Sequence, residues 1–300
     1  MLQLLEFGKE DDIVDQPDKD SEESLAESGL KLTKFDAGEN GVPPLPSEVK
    51  KAKLKIVPFS TDKSKIKIRP NMKSGIIPTH PSSVIFNGRS GSGKSNLIIN
   101  LLCRPEFYGT DDKGKHYFDQ VYMFSPTAGL GDDLVKHLIK YAGLKEENVF
   151  NEINEEKLME IIKRQEQKIK STGIARSPRI LLLLDDIQSE PKFLRSKTCL
   201  KVFIQNRHIN ISTWIASQVF NLIPRGNRLQ ANNLFIFPCS NSEEKRLVDE
   251  FTPPRHTKRE FEQLFAFATA ERYEFLHINM REPPKTRFRK NLDQILKLKK

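Results

Sequence analysis

Residues Val84–Leu102 read VIFNGRSGSGKSNLIINLL. The segment starts apolar, crosses Gly88, Gly91 and Gly93, presents Lys94, and becomes apolar again. Gly88–Ser95, G-R-S-G-S-G-K-S, fits the pattern G-x-x-x-x-G-K-[S/T]. The reading predicts a strand at Val84–Asn87 and a buried helix opening at Asn96. Between them lies a loop of Gly88, Arg89, Ser90, Gly91, Ser92, Gly93, Lys94 and Ser95. Glycines let such a loop curve around an anion with its N–H groups turned inward, and the helix N-terminus adds partial positive charge. A nucleotide triphosphate is the expected occupant. Lys94 reaches its β- and γ-phosphates, and the Ser95 hydroxyl ligates Mg²⁺.

From residue 83 onward, apolar strand patterns alternate with helical ones, the signature of a parallel sheet covered on both faces. The expected strands are Val84–Asn87, Asp119–Ser125, Ile180–Leu184, Ile211–Gln218 and Asn233–Pro238, followed by a late strand in YEFLHINM. Helices are expected at Asp132–Ala142, Glu155–Lys170, Lys192–Asn206 and Arg259–Ala268. Ile180–Leu184 is apolar throughout and so buried on both faces. It runs into Asp185 and Asp186. A carboxylate at the tip of such a strand can hold Mg²⁺, the role expected of Asp185, while Asp186 polarises the attacking water. Gln218 ends another apolar strand, where side chains face the ligand crevice. Its amide could bond a γ-phosphate oxygen, or it could be an ordinary polar strand end. Arg225 and Arg228 lie in an expected loop between the last two of the five strands. Either could act as an arginine finger on a neighbouring subunit, or be solvated.

The chain carries a formal charge of +9 over 300 residues. Residues 1–50 hold 13 acids and 5 lysines, leaving about +17 on the remainder. A basic body suits a polyanionic partner such as DNA, or simply a soluble surface. Residues 1–50 are expected as an acidic disordered tail and linker, and residues 51–82 as a basic arm or edge strand. Residues 83–284 form the nucleotide-binding domain and 285–300 a basic C-terminal tail. No apolar run reaches the roughly 18 residues needed to span a membrane, and no signal sequence opens the chain. Three well-separated cysteines fit buried thiols of an intracellular protein.

Taken in order, GRSGSGKSNL, ILLLLDDI, NRHINISTWIASQ, IPRGNRLQANNLFIF, FEQLFAFATAERYEFLHINM and PPKTRFRKN resemble the poxvirus A32-like genome-packaging ATPases of the FtsK–HerA group of P-loop ATPases. The resemblance runs from about residue 83 to 291. It implies an α/β P-loop fold with a mostly parallel sheet of strand order 5-1-4-3-2, flanked by helices, plus a C-terminal β extension. It also implies ATP and Mg²⁺ as cofactors and Gln218 as γ-phosphate sensor. The implied assembly is a homo-oligomeric ring, a hexamer or pentamer, in which a neighbour's arginine completes each site. The family's arginine is usually followed closely by asparagine. Arg225 has Asn227 two residues on, Arg228 waits until Asn232, and Arg228 is the preferred finger. The implied function is ATP-driven translocation of double-stranded DNA into a preformed viral capsid, with a capsid protein as partner, inside an infected cell or the virion. The alternatives are a cellular HerA/FtsK-type pump or helicase, a P-loop small-molecule kinase, and a non-hydrolysing capsid component.

Overall fold

The computed structural model describes residues 31–34 and 76–298, apart from 128 and 130. The strands are β1 (Lys31–Lys34), β2 (Ser83–Asn87), β3 (Gln120–Phe124), β4 (Leu144–Phe150), β5 (Ile180–Asp185), β6 (Ile211–Ser217), β7 (Asn233–Ile236), β8 (Leu276–Asn279), β9 (Phe288–Lys290) and β10 (Gln294–Lys297). The helices are α1 (Lys94–Cys103), α2 (Asp133–Tyr141), α3 (Glu155–Thr172), α4 (Pro191–Leu194), α5 (Lys197–Ile204), α6 (Asn206–Ile209), α7 (Arg225–Gln230), α8 (Asn241–Phe251) and α9 (Lys258–Ala268).

Among the described residues, ten strands form one mixed sheet in the order β1-β10-β9-β8-β7-β2-β6-β5-β3-β4. The expected five-strand order is therefore not the order of the whole sheet. The five strands named from sequence run as β7-β2-β6-β5-β3 in its middle, all parallel. Strands β8, β9 and β10 extend it by antiparallel pairing, and β1 adds to β10 in parallel.

Alternation along the strands builds two cores. Leu182 and Leu184 of β5 and Ile85 of β2 join a core closed by Leu158 and Ile162 of α3, Val202 and Phe203 of α5, and Phe261 and Leu264 of α9. Leu181 and Leu183, with Val84 and Phe86, face the other way, onto Leu97, Ile98 and Leu101 of α1 and Leu134 and Leu138 of α2. Side chains alternate between faces along a strand, so a run of leucines serves both layers at once.

Several features depart from expectation, among them the helix expected at Lys192–Asn206, which is broken into α4, α5 and the start of α6, and the unexpected α8. β4 is an edge strand with exposed Lys145, Glu146 and Glu147; such charges hide a strand in the sequence yet suit an edge, which must resist pairing with other chains. Residues 285–300, expected as a basic tail, carry β9 and β10, so the sheet continues past the domain border placed at 284. Helix α7 occupies the expected arginine-bearing loop. Most of the acidic tail and basic arm lies outside the described residues. Within them, β1 is a strand, and residues 76–82 lead into β2 without helix or strand.

Candidate functional site

The loop after β2 has the backbone its glycines require. Gly91 and Gly93 adopt positive φ of 72° and 107°, where a side chain would be strained. Gly88 is needed for space: a Cβ there would lie 2.6 Å from Phe237 Cβ and 2.7 Å from Ser92 Oγ. Gly93 caps α1 without a side-chain partner, leaving the helix's first N–H groups for an anion. Lys94 is buried, and its ammonium donates to the carbonyls of Gly88 at 2.6 Å and Arg89 at 3.1 Å. Burial lowers its pKa, while Asp186 and Asp185 hold it up. Ser92 Oγ is buried without a hydrogen-bond partner, whereas Arg89, Ser90 and Ser95 are exposed.

Parallel pairing brings the other groups to this loop. Gly88 N donates to Ser217 O at 3.2 Å, and Asp186 N to Ala216 O at 3.2 Å, so the carboxyl ends of β2, β6 and β5 lie side by side. Asp185 ends β5, and its pKa is raised to about 7, first by burial and then by the charge of Asp186, with Lys94 opposing. Asp186 sits in the left-handed region at φ 50°. Aspartate tolerates that conformation better than most residues. Its Oδ1 accepts from Gln218 Nε2 at 3.1 Å and its Oδ2 from Thr127 Oγ1 at 3.1 Å. The structure thus joins Gln218 and Asp186 directly, two residues the sequence placed on different strands. Thr127 was missed. It lies just past the carboxyl end of β3, where crevice residues of parallel sheets gather, and that position was its signal.

The arginine expectation needs correction. Arg228 is only 3% exposed. Its Nε donates to Glu250 Oε2 at 2.7 Å, Nη2 to Glu250 Oε1 and Nη1 to the Ile223 carbonyl, with Phe220 beneath the guanidinium at 5.2 Å. A fork already paired with a carboxylate inside its own subunit is unavailable to a neighbour. Arg225, at the start of α7, is exposed.

The family described as Poxvirus A32 protein matches residues 76–252, which include the phosphate loop, both aspartates, Gln218 and both arginines. The chain belongs to the poxvirus A32 protein family. Among relatives of this A32-family chain, the uncharacterized protein 075L of Invertebrate iridescent virus 6 is 27% identical over 175 residues. That match covers 56% of this chain and 58% of the relative, so it spans little more than half of the relative's length. The uncharacterized protein 088R of Invertebrate iridescent virus 3 is 26% identical over 236 residues, 75% of this chain and 78% of the relative. Among solved structures, the genome packaging NTPase B204 of Sulfolobus turreted icosahedral virus 2 with ATPγS aligns at a TM-score of 0.47 and 15% identity, covering 67% of this chain and 93% of B204. Among the described residues, no helix of the A32-family chain is long and apolar enough to cross a membrane.

Proposed function

We propose that this A32-family chain is an ATPase that drives double-stranded DNA into a preformed viral capsid. The observation that carries the reading is the meeting of the phosphate loop, Asp185, Asp186 and Gln218 at the carboxyl ends of β2, β5 and β6. Family membership and relatives in two iridescent viruses support the viral setting, inside an infected cell.

Lys94 would exchange two carbonyl acceptors for β- and γ-phosphate oxygens, keeping the same direction of donation. The buried Ser92 hydroxyl and the free N–H groups at the start of α1 fit an anion in the cradle. Ser95 and Asp185 are suited to hold Mg²⁺ with the triphosphate; no group of three or more His, Cys, Asp or Glu among the described residues could hold a metal ion unaided. Bound there, Mg²⁺ would supply charge neutralisation at the phosphate oxygens. Asp185 would give up its carboxyl proton to take that role. Asp186 would accept a proton from the attacking water, oriented by its bonds to Thr127 and Gln218. Gln218 would link the γ-phosphate to that base.

Arg225 is the better candidate for the finger that completes a neighbour's site in a homo-oligomeric ring. It stands on a flank where Leu222 and Leu229 are 39% and 48% exposed, apolar surface suited to a subunit contact. Grip on DNA would act mainly through phosphates, with little sequence preference. The test is ATP hydrolysis by the full chain with and without duplex DNA. Stimulation by long duplex supports a translocase; turnover indifferent to DNA rejects it.

A further inference from the structure

Tyr273 has no part in the chemistry above, yet it is held beside the phosphate loop. It lies in the turn between α9 and β8 and is 53% exposed. A Cβ built on Gly93 would meet Tyr273 Cδ1 at 3.3 Å and Phe237 Cε1 at 3.5 Å, so glycine at 93 is what lets the tyrosine come this close. Its backbone has φ of 69°, a costly conformation for an aromatic residue. The turn is braced rather than loose. Glu271 N donates to Glu274 Oε2 at 2.9 Å, the Glu274 carboxylate pairs with Lys290 of β9 at 2.7 Å, and Asn291 N donates to Phe275 O at 2.9 Å. Phe275, two residues on, packs against Phe237 at 5.1 Å between ring centroids. The Arg272 guanidinium covers the Tyr273 ring at 4.6 Å. An exposed aromatic ring in a turn braced this way can offer a face to a flat partner.

The sheet says which end of a nucleotide would meet it. The γ-phosphate end belongs with Asp186 and Gln218, delivered by β5 and β6 on one side of β2. Tyr273 is delivered from the opposite side, by the connection into β8, beyond β7. A triphosphate seated on the loop with its terminal phosphate toward β6 therefore sends its ribose and base toward Tyr273. We propose that Tyr273, steadied by Arg272, is the stacking platform for the nucleotide's base. This rests on the nucleotide-binding reading of the phosphate loop. It assigns the base end of the ligand to a residue outside the 76–252 family match. Stacking needs only a π-face and no hydrogen-bond code.

The test uses the full chain and compares equilibrium binding of ATP with that of inorganic tripolyphosphate, both with Mg²⁺. In Tyr273→Ala, ATP affinity should fall about tenfold or more while tripolyphosphate affinity stays at the wild-type value. Tyr273→Phe, which keeps the ring, should bind ATP as wild type does. Quenching of ethenoadenosine triphosphate fluorescence should be present in wild type and Tyr273→Phe and absent in Tyr273→Ala. Unchanged ATP affinity in Tyr273→Ala, or an equal loss for both ligands, overturns the platform. Lys94→Ala separates the two levels: if it leaves wild-type binding of both ligands intact, the phosphate-loop reading has failed. If it abolishes both while Tyr273→Ala changes neither, only the platform has failed.

Discussion

Lys94 and Asp185 are both taken out of water, and each is pushed toward neutrality by burial while the other's charge resists. A triphosphate with Mg²⁺ would replace both partners with stronger ones, so the residues should fail differently when removed. Lys94→Ala removes the charge bridging the phosphates, and steady-state ATPase activity should drop about a hundredfold or more. Asp186→Asn keeps an amide in place of the carboxylate but cannot take a proton. It should retain Mg·ATP in equilibrium binding while single-turnover hydrolysis stops. Asp185→Asn should instead weaken nucleotide binding and its Mg²⁺ dependence together. The reverse pattern in the two asparagine variants would swap the assigned roles. Both aspartates were legible from one feature, an apolar strand ending in two acids. The Gln218–Asp186 hydrogen bond was not: the implied strand order makes β5 and β6 neighbours, but only the folded chain aims these two side chains at each other.

At the scale of elements, α7 and α8 decide what their arginines can do. The Arg228–Glu250 pair clamps the two helices, with side chains 4% and 6% exposed. Breaking a buried pair leaves one charge without compensation. Arg228→Ala should therefore lose about 3–5 kcal/mol in denaturant unfolding, with Arg228→Met/Glu250→Met recovering most of it. Arg225 is tested by mixing. Arg225→Ala subunits keep an intact phosphate loop, and Lys94→Ala subunits keep an intact arginine. Equal amounts, co-assembled, should recover hydrolysis at about a quarter of sites, given a finger effect of about a thousandfold or more. No recovery in proven mixed rings would remove Arg225 from the neighbour's site. Helix α8, absent from the expected helices, opens on the S-x-x-E of Ser240–Glu243, which forms a capping box. Glu243 also accepts from Phe220 N at 2.6 Å, a tie to the segment after Gln218 that only the folded chain creates. The opposite end of the sheet holds a pH-sensitive joint. Asn210 donates to Ser177 and Pro178 oxygens, which turns its Oδ1 toward His80 Nε2 at 2.9 Å, so that nitrogen carries the proton. Nδ1 then accepts from the Ser212 hydroxyl at 2.7 Å and has no room for a second proton. Burial, the largest influence, lowers the His80 pKa to about 4. A histidine whose folded pKa lies below its unfolded one stabilises fully at neutral pH, and that stability is lost as pH falls from about 6.5 toward 4. Its share should be about 2 kcal/mol by pH 5. Thermal unfolding of wild type and His80→Gln across pH 7.5 to 5 checks this; parallel curves would exclude His80.

At the scale of the whole molecule, charge is divided between one end and the rest. Residues 1–30 hold ten acids and two lysines, the whole excess of acid in the first 50 residues. Because β1 begins at Lys31 and pairs with β10, a deletion meant to test that acid should stop before it. Removing residues 1–28 should tighten duplex DNA binding about tenfold at low salt, with the difference vanishing as salt rises. Equal affinities at low salt would show that the acidic segment does not compete with DNA. The sequence by itself determined the phosphate loop, the doubly buried strand ending in Asp185 and Asp186, and the parallel α/β plan. Each of these is written in a short window, where glycine positions and runs of apolar residues dictate local backbone and burial. Only the tertiary structure decided which arginine is exposed and which is buried in an ion pair, that Thr127 and Gln218 hold one carboxylate between them, and that Tyr273 stands over Gly93. Those outcomes depend on partners brought from distant strands and helices. An arginine's own neighbours in sequence look the same whether its guanidinium meets solvent or a carboxylate on another helix.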